Sequence, residues 1–273
     1  MTRTVQEKRA AFRALHEKGC FVIPNPFDAG SAKLLEGMGF QALASTSSGF
    51  AWTQGRPDNG VKRDDVLAHL RMLCAATNLP VNADFEAGYG ATPTQVAESV
   101  RMAVDAGVAG LSIEDSTYDE ASPLRSIDDA VARMKAARAA IDDSRSGVML
   151  VGRAENFIVN RPDLDDTIRR LKAYSDAGAD CLYSPGIRTK EQIEAVVKAV
   201  APKPVNLLIG WASELTVGQV EAMGVRRISV GGALARSAWG GFMRAARQIA
   251  EEGRFEAFGT AASGKELNEF FGA

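Results

Sequence analysis

Residues 92–114, TPTQVAESVRMAVDAGVAGLSIE, carry the reading of the fold. Thr92 followed by Pro93 and by Gln95 is a helix start: a capping hydroxyl, a proline at the first helical position and a glutamine that can reach back to the cap. Val96, Val100 and Val104 then recur at helical spacing. Asp105-Ala106-Gly107 ends the helix, since glycine adopts the left-handed cap that other residues resist. The apolar run AGLSIE at 109–114 reads as a buried parallel strand that ends on an acid.

The same helix, glycine, strand order recurs outward in both directions. Glu36-Gly37-Met38-Gly39 precedes QALAS, Asp176-Ala177-Gly178 precedes ADCLYS, and Glu221-Ala222-Met223-Gly224 precedes VRRISV. Ser126 with Asp129, and Thr189 with Gln192, repeat the helix-start device. Eight apolar runs result, at 20–24, 41–45, 80–84, 109–114, 147–153, 179–184, 203–208 and 226–231. No linker or composition break divides the 273 residues, so residues 1–273 are expected to form one (β/α)8 TIM-type barrel rather than a doubly wound open sheet. Gly264–Phe271 is left over as an extra C-terminal helix. It is expected to pack outside the barrel in a monomer or to be swapped between subunits of a homo-oligomer.

Composition narrows the function. Lys plus Arg (32) nearly balance Asp plus Glu (34), for a formal charge of −2, which argues against nucleic acid or an anionic membrane as partner. No apolar run approaches the roughly 18 residues of a membrane span, and the N-terminus reads as a charged amphipathic helix; the cytoplasm is the expected compartment. Cys20, Cys74 and Cys181 include no CxxC pair, so neither a disulfide framework nor a zinc site is expected. Only His16 and His69 can supply imidazole, and both fall in helical segments directed away from the strands' C-terminal ends.

Those ends form the working face of a barrel. They carry Asn25, Ser45-Thr46-Ser47, Asp84, Glu86, Glu114, Asp115, Arg153, Glu155 and Asn206, with Asp58 farther along the loop after the second strand. Asp58, Asp84, Glu86 and Glu114 form an oxygen-only set, which points to Mg2+ or Mn2+ held through one or two carboxylates and several waters. The alternative is that the acids cap helices or pair with arginines. Arg153 suits bidentate binding of a substrate carboxylate or, alternatively, an internal salt bridge to Glu114 or Glu155.

NADFEAGYG (82–90), SIEDS (112–116), VGRAENF (151–157) and STSSGFAWTQGRPDNG (45–60), in that spacing, resemble the isocitrate lyase/phosphoenolpyruvate mutase superfamily, from NPFDAGSA (25–32) to GGALARSAWGGFMRAA (231–246). The resemblance implies a Mg2+-dependent barrel that makes or breaks C–C or P–C bonds beside a 2-oxo carboxylate, in a dimer or tetramer joined through C-terminal helices. It implies that Asp84 contacts the metal and that Asp58, Glu86 and Glu114 hold its water shell. Ser45, Thr46 and Ser47 would bind the oxo-acid through backbone amides, Arg153 would bind substrate, and Asn206 and Arg236 would lie near the substrate's far end. One departure weighs against two activities of the family. Where isocitrate and methylisocitrate lyases have a loop with a catalytic cysteine, this chain reads STYDEASPLRS (116–126), which also lacks the lysine and asparagine of the phosphonate mutases.

With no histidine, cysteine or lysine at the mouth, acid–base work falls to carboxylates, to water or to Tyr89 in the Gly88-Tyr89-Gly90 turn. The expected function is a metal-stabilised enolate reaction on a small 2-oxo acid, of the oxaloacetate decarboxylase or C–C lyase type. The alternatives are a phosphonopyruvate-type hydrolase or mutase, and a non-catalytic 2-oxo-acid binding protein.

Overall fold

The computed structural model describes residues 2–272. Eight parallel strands are β1 Phe21–Ile23, β2 Leu43–Ala44, β3 Val81–Asp84, β4 Gly110–Glu114, β5 Met149–Arg153, β6 Cys181–Tyr183, β7 Val205–Leu208 and β8 Arg227–Ser229. They pair in the order β1-β8-β7-β6-β5-β4-β3-β2. The remaining seam is drawn together where the Ala44 amide donates to the Pro24 carbonyl (3.0 Å) and Asn25 ties Ser45 to Val230 and Gly231. The result is a (β/α)8 barrel, as the repeated helix, glycine, strand pattern implied.

Each strand is followed by helix: α2 Ala29–Gly37, α3 Ser47–Thr53 and α4 Arg63–Ala76, α5 Pro93–Asp105, α6 Ile127–Asp143, α7 Leu164–Asp176, α8 Lys190–Val200, α9 Val217–Ala222 and α10 Ala233–Glu252. Thr92 with Gln95 and Thr189 with Gln192 form full capping boxes. Gly39, Gly107, Gly178 and Gly224, the four helix-ending glycines, all take positive φ. Among the described residues no helix is long and apolar enough to cross a membrane.

The N-terminal helix α1, Val5–Leu15, closes the barrel from below rather than lying on its surface. Phe12 is fully buried with Phe21, Ile23, Ala44 and Met149. It fits because β4 begins with Gly110: a Cβ there would meet the Phe12 ring at 2.7 Å. Lys8 and Arg9, charged residues of this amphipathic helix, are buried. Lys8 donates to the Cys74 and Thr77 carbonyls and Arg9 to the Val104 and Val108 carbonyls, at the C-terminal ends of α4 and α5, where cations meet unpaired carbonyls.

The last helix, α11 Gly264–Phe271, has the bounds expected of it and lies against α2 of the same chain. Phe270 covers Gly37, where a Cβ would come within 2.5 Å of the ring.

Both histidines are buried and held neutral. His16, just past α1, is pushed down to about 3 by burial and by Arg227. His69 on α4 is pushed down to about 4 by burial, and its ring stacks on Phe50 at 3.9 Å with neither nitrogen hydrogen-bonded. The unfolded chain takes up these protons near pH 6.5 and the folded chain does not. Their contribution to stability is therefore complete above pH 6.5 and is lost as pH falls toward 4 and 3. His69→Phe keeps the stack and removes one titration, so the stability lost between pH 7 and pH 5 should shrink by about 2 kcal/mol. Urea unfolding at the two pH values reads this; an unchanged difference would exclude the assignment.

Candidate active site

Strand alternation decides which side chains face the barrel interior. On β3 these are Asn82 and Asp84, on β4 Ser112 and Glu114, on β5 Val151 and Arg153, on β6 Cys181 and Tyr183, on β7 Asn206 and Leu208, and on β8 Arg227 and Ser229. The residues between them, such as Ala83, Leu111, Ile113, Leu150, Leu182, Leu207 and Ile228, pack outward against the helices. The acids and Arg153 close strands β3, β4 and β5 because a charge there reaches the mouth while its strand stays apolar.

Arg153 is the hub. Its Nη1 lies 3.1 Å from Asp84 Oδ1 and 3.0 Å from Glu114 Oε2, and Nη2 donates to Glu155 Oε2 at 3.2 Å while Nε meets Glu155 Oε1. The guanidinium fork is thus engaged by Glu155, the internal salt bridge of the two readings of this residue, and Nη1 alone is turned toward the other acids. Glu155 is itself anchored: its amide donates to Asp115 Oδ1 (2.9 Å), and Asp115 Oδ2 takes Arg170 Nη1 (3.0 Å) and the Tyr174 hydroxyl (2.5 Å). The second acid of SIEDS therefore holds the arginine's partner in place.

Asp84 accepts the Ser47 amide on Oδ2 (2.9 Å), and its own amide donates to Ser45 Oγ (2.8 Å). Thr46 caps α3 through Gly49. Of the three amides expected to receive an oxo-acid, that of Ser45 is engaged by the Asn82 carbonyl and that of Ser47 by Asp84. Asp58 lies across from Asp84; burial and the Asp84 charge raise its carboxyl. Glu114 is raised by burial and opposed by Arg153. Glu86 has left-handed φ, 47°, and burial pushes it up to about 7, with Tyr89 beside it and Asp84 and Asp58 adding to the shift.

Two cavities meet at this cluster. The inner one, about 220 Å3, is lined by Ser45, Thr46, Ser47, Asp58, Asp84 and Arg153 above and by Asn206, Arg227 and Ser229 below. The outer one, about 520 Å3, is lined by Ser47, Asp58, Glu114 and Arg153 and by the loops 116–123 and 158–161. Glu86 and Tyr89 sit behind Asp84 in their turn and line neither cavity. Arg236 stands apart: it donates to the Gly210 carbonyl and borders a separate apolar cavity with Trp52 and Trp239. Tyr118, which no motif marks, has φ of 61°, borders the outer cavity beside Glu114 and receives the Ala87 amide on its hydroxyl (3.0 Å).

The donor set fits a hydrated divalent cation. Four carboxylates, three of them raised by burial and mutual repulsion, face one guanidinium, so positive charge is in deficit. Among the described residues no three Asp, Glu, His or Cys side chains come close enough to cage an ion. An oxygen-only donor set of this kind is the type that Mg2+ or Mn2+ uses through one or two carboxylates and several waters.

Comparison with known proteins agrees with this chemistry. Residues 12–250 match the family model of phosphoenolpyruvate phosphomutase. A crystal structure described as a lyase/mutase of Burkholderia cenocepacia J2315 is 47% identical, covers 99% of this chain and 98% of its own, and superposes with a TM-score of 0.96. Oxaloacetate decarboxylase of Bradyrhizobium diazoefficiens is 32% identical over 219 residues, 75% of this chain and 73% of that protein. Phosphonopyruvate hydrolase in complex with oxalate and Mg2+ is 26% identical, with a TM-score of 0.85 over 97% of this chain and 95% of that one. With its barrel, its acids at the ends of β3 and β4 and this match over most of its length, the chain belongs to the phosphoenolpyruvate phosphomutase family, within the isocitrate lyase/phosphoenolpyruvate mutase superfamily.

Proposed function

We propose that the chain is a Mg2+-dependent carbon–carbon lyase of a small 2-oxo dicarboxylic acid, with decarboxylation of oxaloacetate as its reaction. The observation that carries this is the pairing of a carboxylate-rich cation site with a mouth whose lining includes no cysteine, lysine or histidine. Loss of CO2 from the carboxylate β to the 2-oxo group breaks one C–C bond and leaves the electron pair on the enolate of the 2-oxo acid, which then takes a proton; no base has to remove a proton from substrate first. The curated relatives named for this reaction support the same choice.

In this reading Asp84 and Asp58 would hold the cation, with Glu114 on its water shell, while Glu86, behind Asp84 and off both cavities, would act on the site through its charge beside Asp84 and Asp58. A bound cation would supply charge neutralisation at the 2-oxo oxygen as negative charge develops there. Arg153 Nη1 lies between Asp84 and Glu114, opposes the burial that raises Glu114, and borders both cavities, where a substrate oxygen could accept from it while Glu155 holds the rest of the fork. The Ser47 amide and Ser45 hydroxyl fix the Asp84 carboxylate and backbone so that it does not reorganise during turnover.

Incubation of the protein with Mg2+ and oxaloacetate should release pyruvate well above the rate of the metal alone, and chelation should abolish the excess. Pyruvate at only the metal rate sinks the decarboxylase reading. Phosphate released from phosphonopyruvate would favour the hydrolase, which a structural relative carries out. Tight 2-oxo-acid binding without turnover of any of these would favour a binding protein.

The homo-oligomer is a proposal of the same kind. Phe242, Met243 and Ile249 on α10, with Phe255 and Phe258 after it, are exposed and apolar, a surface that a second copy would cover. Light scattering should give a dimer or tetramer; a monomer at micromolar concentration would refute it.

A further inference from the structure

The floor of the inner cavity contains a guanidinium with no counter-charge. Arg227 opens β8, is 3% exposed and has no carboxylate within 4 Å among the described residues. Other arginines in the barrel's interior or packed beneath its loops, Arg133, Arg153 and Arg170, each touch a carboxylate. Arg9, also buried, ends on two main-chain carbonyls. Arg227 meets neutral side chains instead: Nε donates to Asn206 Oδ1 (2.8 Å), and Nη1 faces His16 Nε2 (3.4 Å). His16 Nδ1 pairs with the Phe12 carbonyl (2.8 Å), so its Nε2 is left to accept from the arginine. An arginine does not escape burial by deprotonating, and an unpaired buried charge is strongly unfavourable.

The surroundings fix this group and turn it to the cavity. Asn206, whose Oδ1 holds Arg227, donates through Nδ2 to Ser229 Oγ (2.9 Å), and the Ser229 hydroxyl, beside Tyr183, borders the inner cavity. Arg227, Asn206, Ser229 and Tyr183 all line the inner cavity, which continues upward to Asp84 and Arg153. In the sheet register Arg153 pairs with Tyr183, Tyr183 with Asn206, and Asn206 with Arg227. Arg153 ends its strand and Arg227 begins its own, so the row descends from mouth to floor over three strand spacings, about 14 Å along the wall. That length is a backbone path; the side chains turn inward, so Arg227 and Asp84 border the same cavity of about 220 Å3 from different strands.

We propose that Arg227, with the Ser229 hydroxyl, forms a second anion subsite at the floor of the inner cavity, and that it receives the distal carboxylate of a 2-oxo dicarboxylate whose 2-oxo end lies at Asp84. This rests on the 2-oxo-acid reading for its occupant but not for its existence. The same chemistry would accept a free small anion, and the test separates the two sources.

Calorimetry with Mg2+ compares 2-oxoglutarate and 3,3-difluorooxaloacetate with the 2-oxo monocarboxylates of equal chain length, using oxalate as the control. At least one dicarboxylate should bind at least about tenfold tighter than its monocarboxylate. Arg227→Gln should erase that preference with oxalate affinity unchanged, and Ser229→Ala, which leaves the buried arginine in place, should reduce it about fivefold. No preference in the native protein, a preference that survives in both variants, or equal weakening of oxalate would overturn the distal-carboxylate assignment. A metal-free thermal melt addresses the subsite itself. Malonate or phosphate should raise the melting temperature of the native protein and should not do so in Arg227→Gln, or should do so less in Ser229→Ala if the glutamine variant does not fold. An equal rise in all of them overturns the subsite. If no 2-oxo acid binds the native protein while the anion-dependent rise persists, the functional reading fails and the anion site stands.

Discussion

Asp84→Ala is expected to lower Mg2+-dependent turnover by at least about 100-fold, more than is typical for loss of a group that only supports a metal ligand. The side chain stands at the end of β3 with its carboxylate fixed by the Ser47 amide and Arg153 Nη1, so its removal deletes the best-ordered acid of the set. The fold should tolerate the change. Arg153 keeps Glu114 and Glu155, and Asp84 is one of several like charges whose repulsion is relieved. Initial rates over a Mg2+ titration, beside a thermal melt, check both halves. A variant that reaches full rate at any Mg2+ concentration would show that the cation is held elsewhere.

Arg153→Met should be damaging in the opposite pattern, costing about 3–5 kcal/mol of stability because three acids lose their shared partner. The pH dependence has a definite sign. Without the guanidinium the folded-state values of Glu114 and Glu155, already raised by burial, rise further above those of the unfolded chain. The folded form then binds the extra protons, so the variant's deficit is greatest at neutral pH and shrinks as pH falls toward 5. Denaturant unfolding of both proteins at pH 7.5 and 5.5 measures this. A deficit that stays constant would mean that lost packing, and not unbalanced charge, is responsible.

Much of the barrel was legible because its signals are local. A glycine after a helix and a capping hydroxyl before one act over a few residues, and all eight apolar runs became strands, each trimmed at one or both ends where only the pairing of neighbours sets the limit. The acids at the mouth were legible for the same reason: a carboxylate at the end of an apolar run has one place to go. What was hidden depends on contacts distant in sequence. Lys8 and Arg9 sit on a charged amphipathic helix, but the carbonyls they cap belong to α4 and α5, some 66 to 99 positions away. Arg227 lies inside VRRISV, where alternation makes one of two adjacent arginines face inward, and nothing local says which. Tyr118 lies in a loop without a motif, and its approach to Glu114 depends on a left-handed backbone that a tyrosine seldom adopts. Tyr89 was singled out by its turn and Arg236 by the resemblance, and neither lines the two cavities that meet at the acids.

The Phe12 side chain seated over Gly110 also makes the chamber a dead end. With an aromatic ring seated below and eight strands as walls, traffic is directed, among the described residues, to the mouth bordered by Tyr118, Glu120 and Arg161. Whatever is formed inside has to leave by the route the next molecule uses to enter, so departure and arrival are forced to take turns. Kinetically, that makes a cul-de-sac: a retained product competes directly with substrate, and the pace of the cycle is open to control at the threshold, far from the atoms that react.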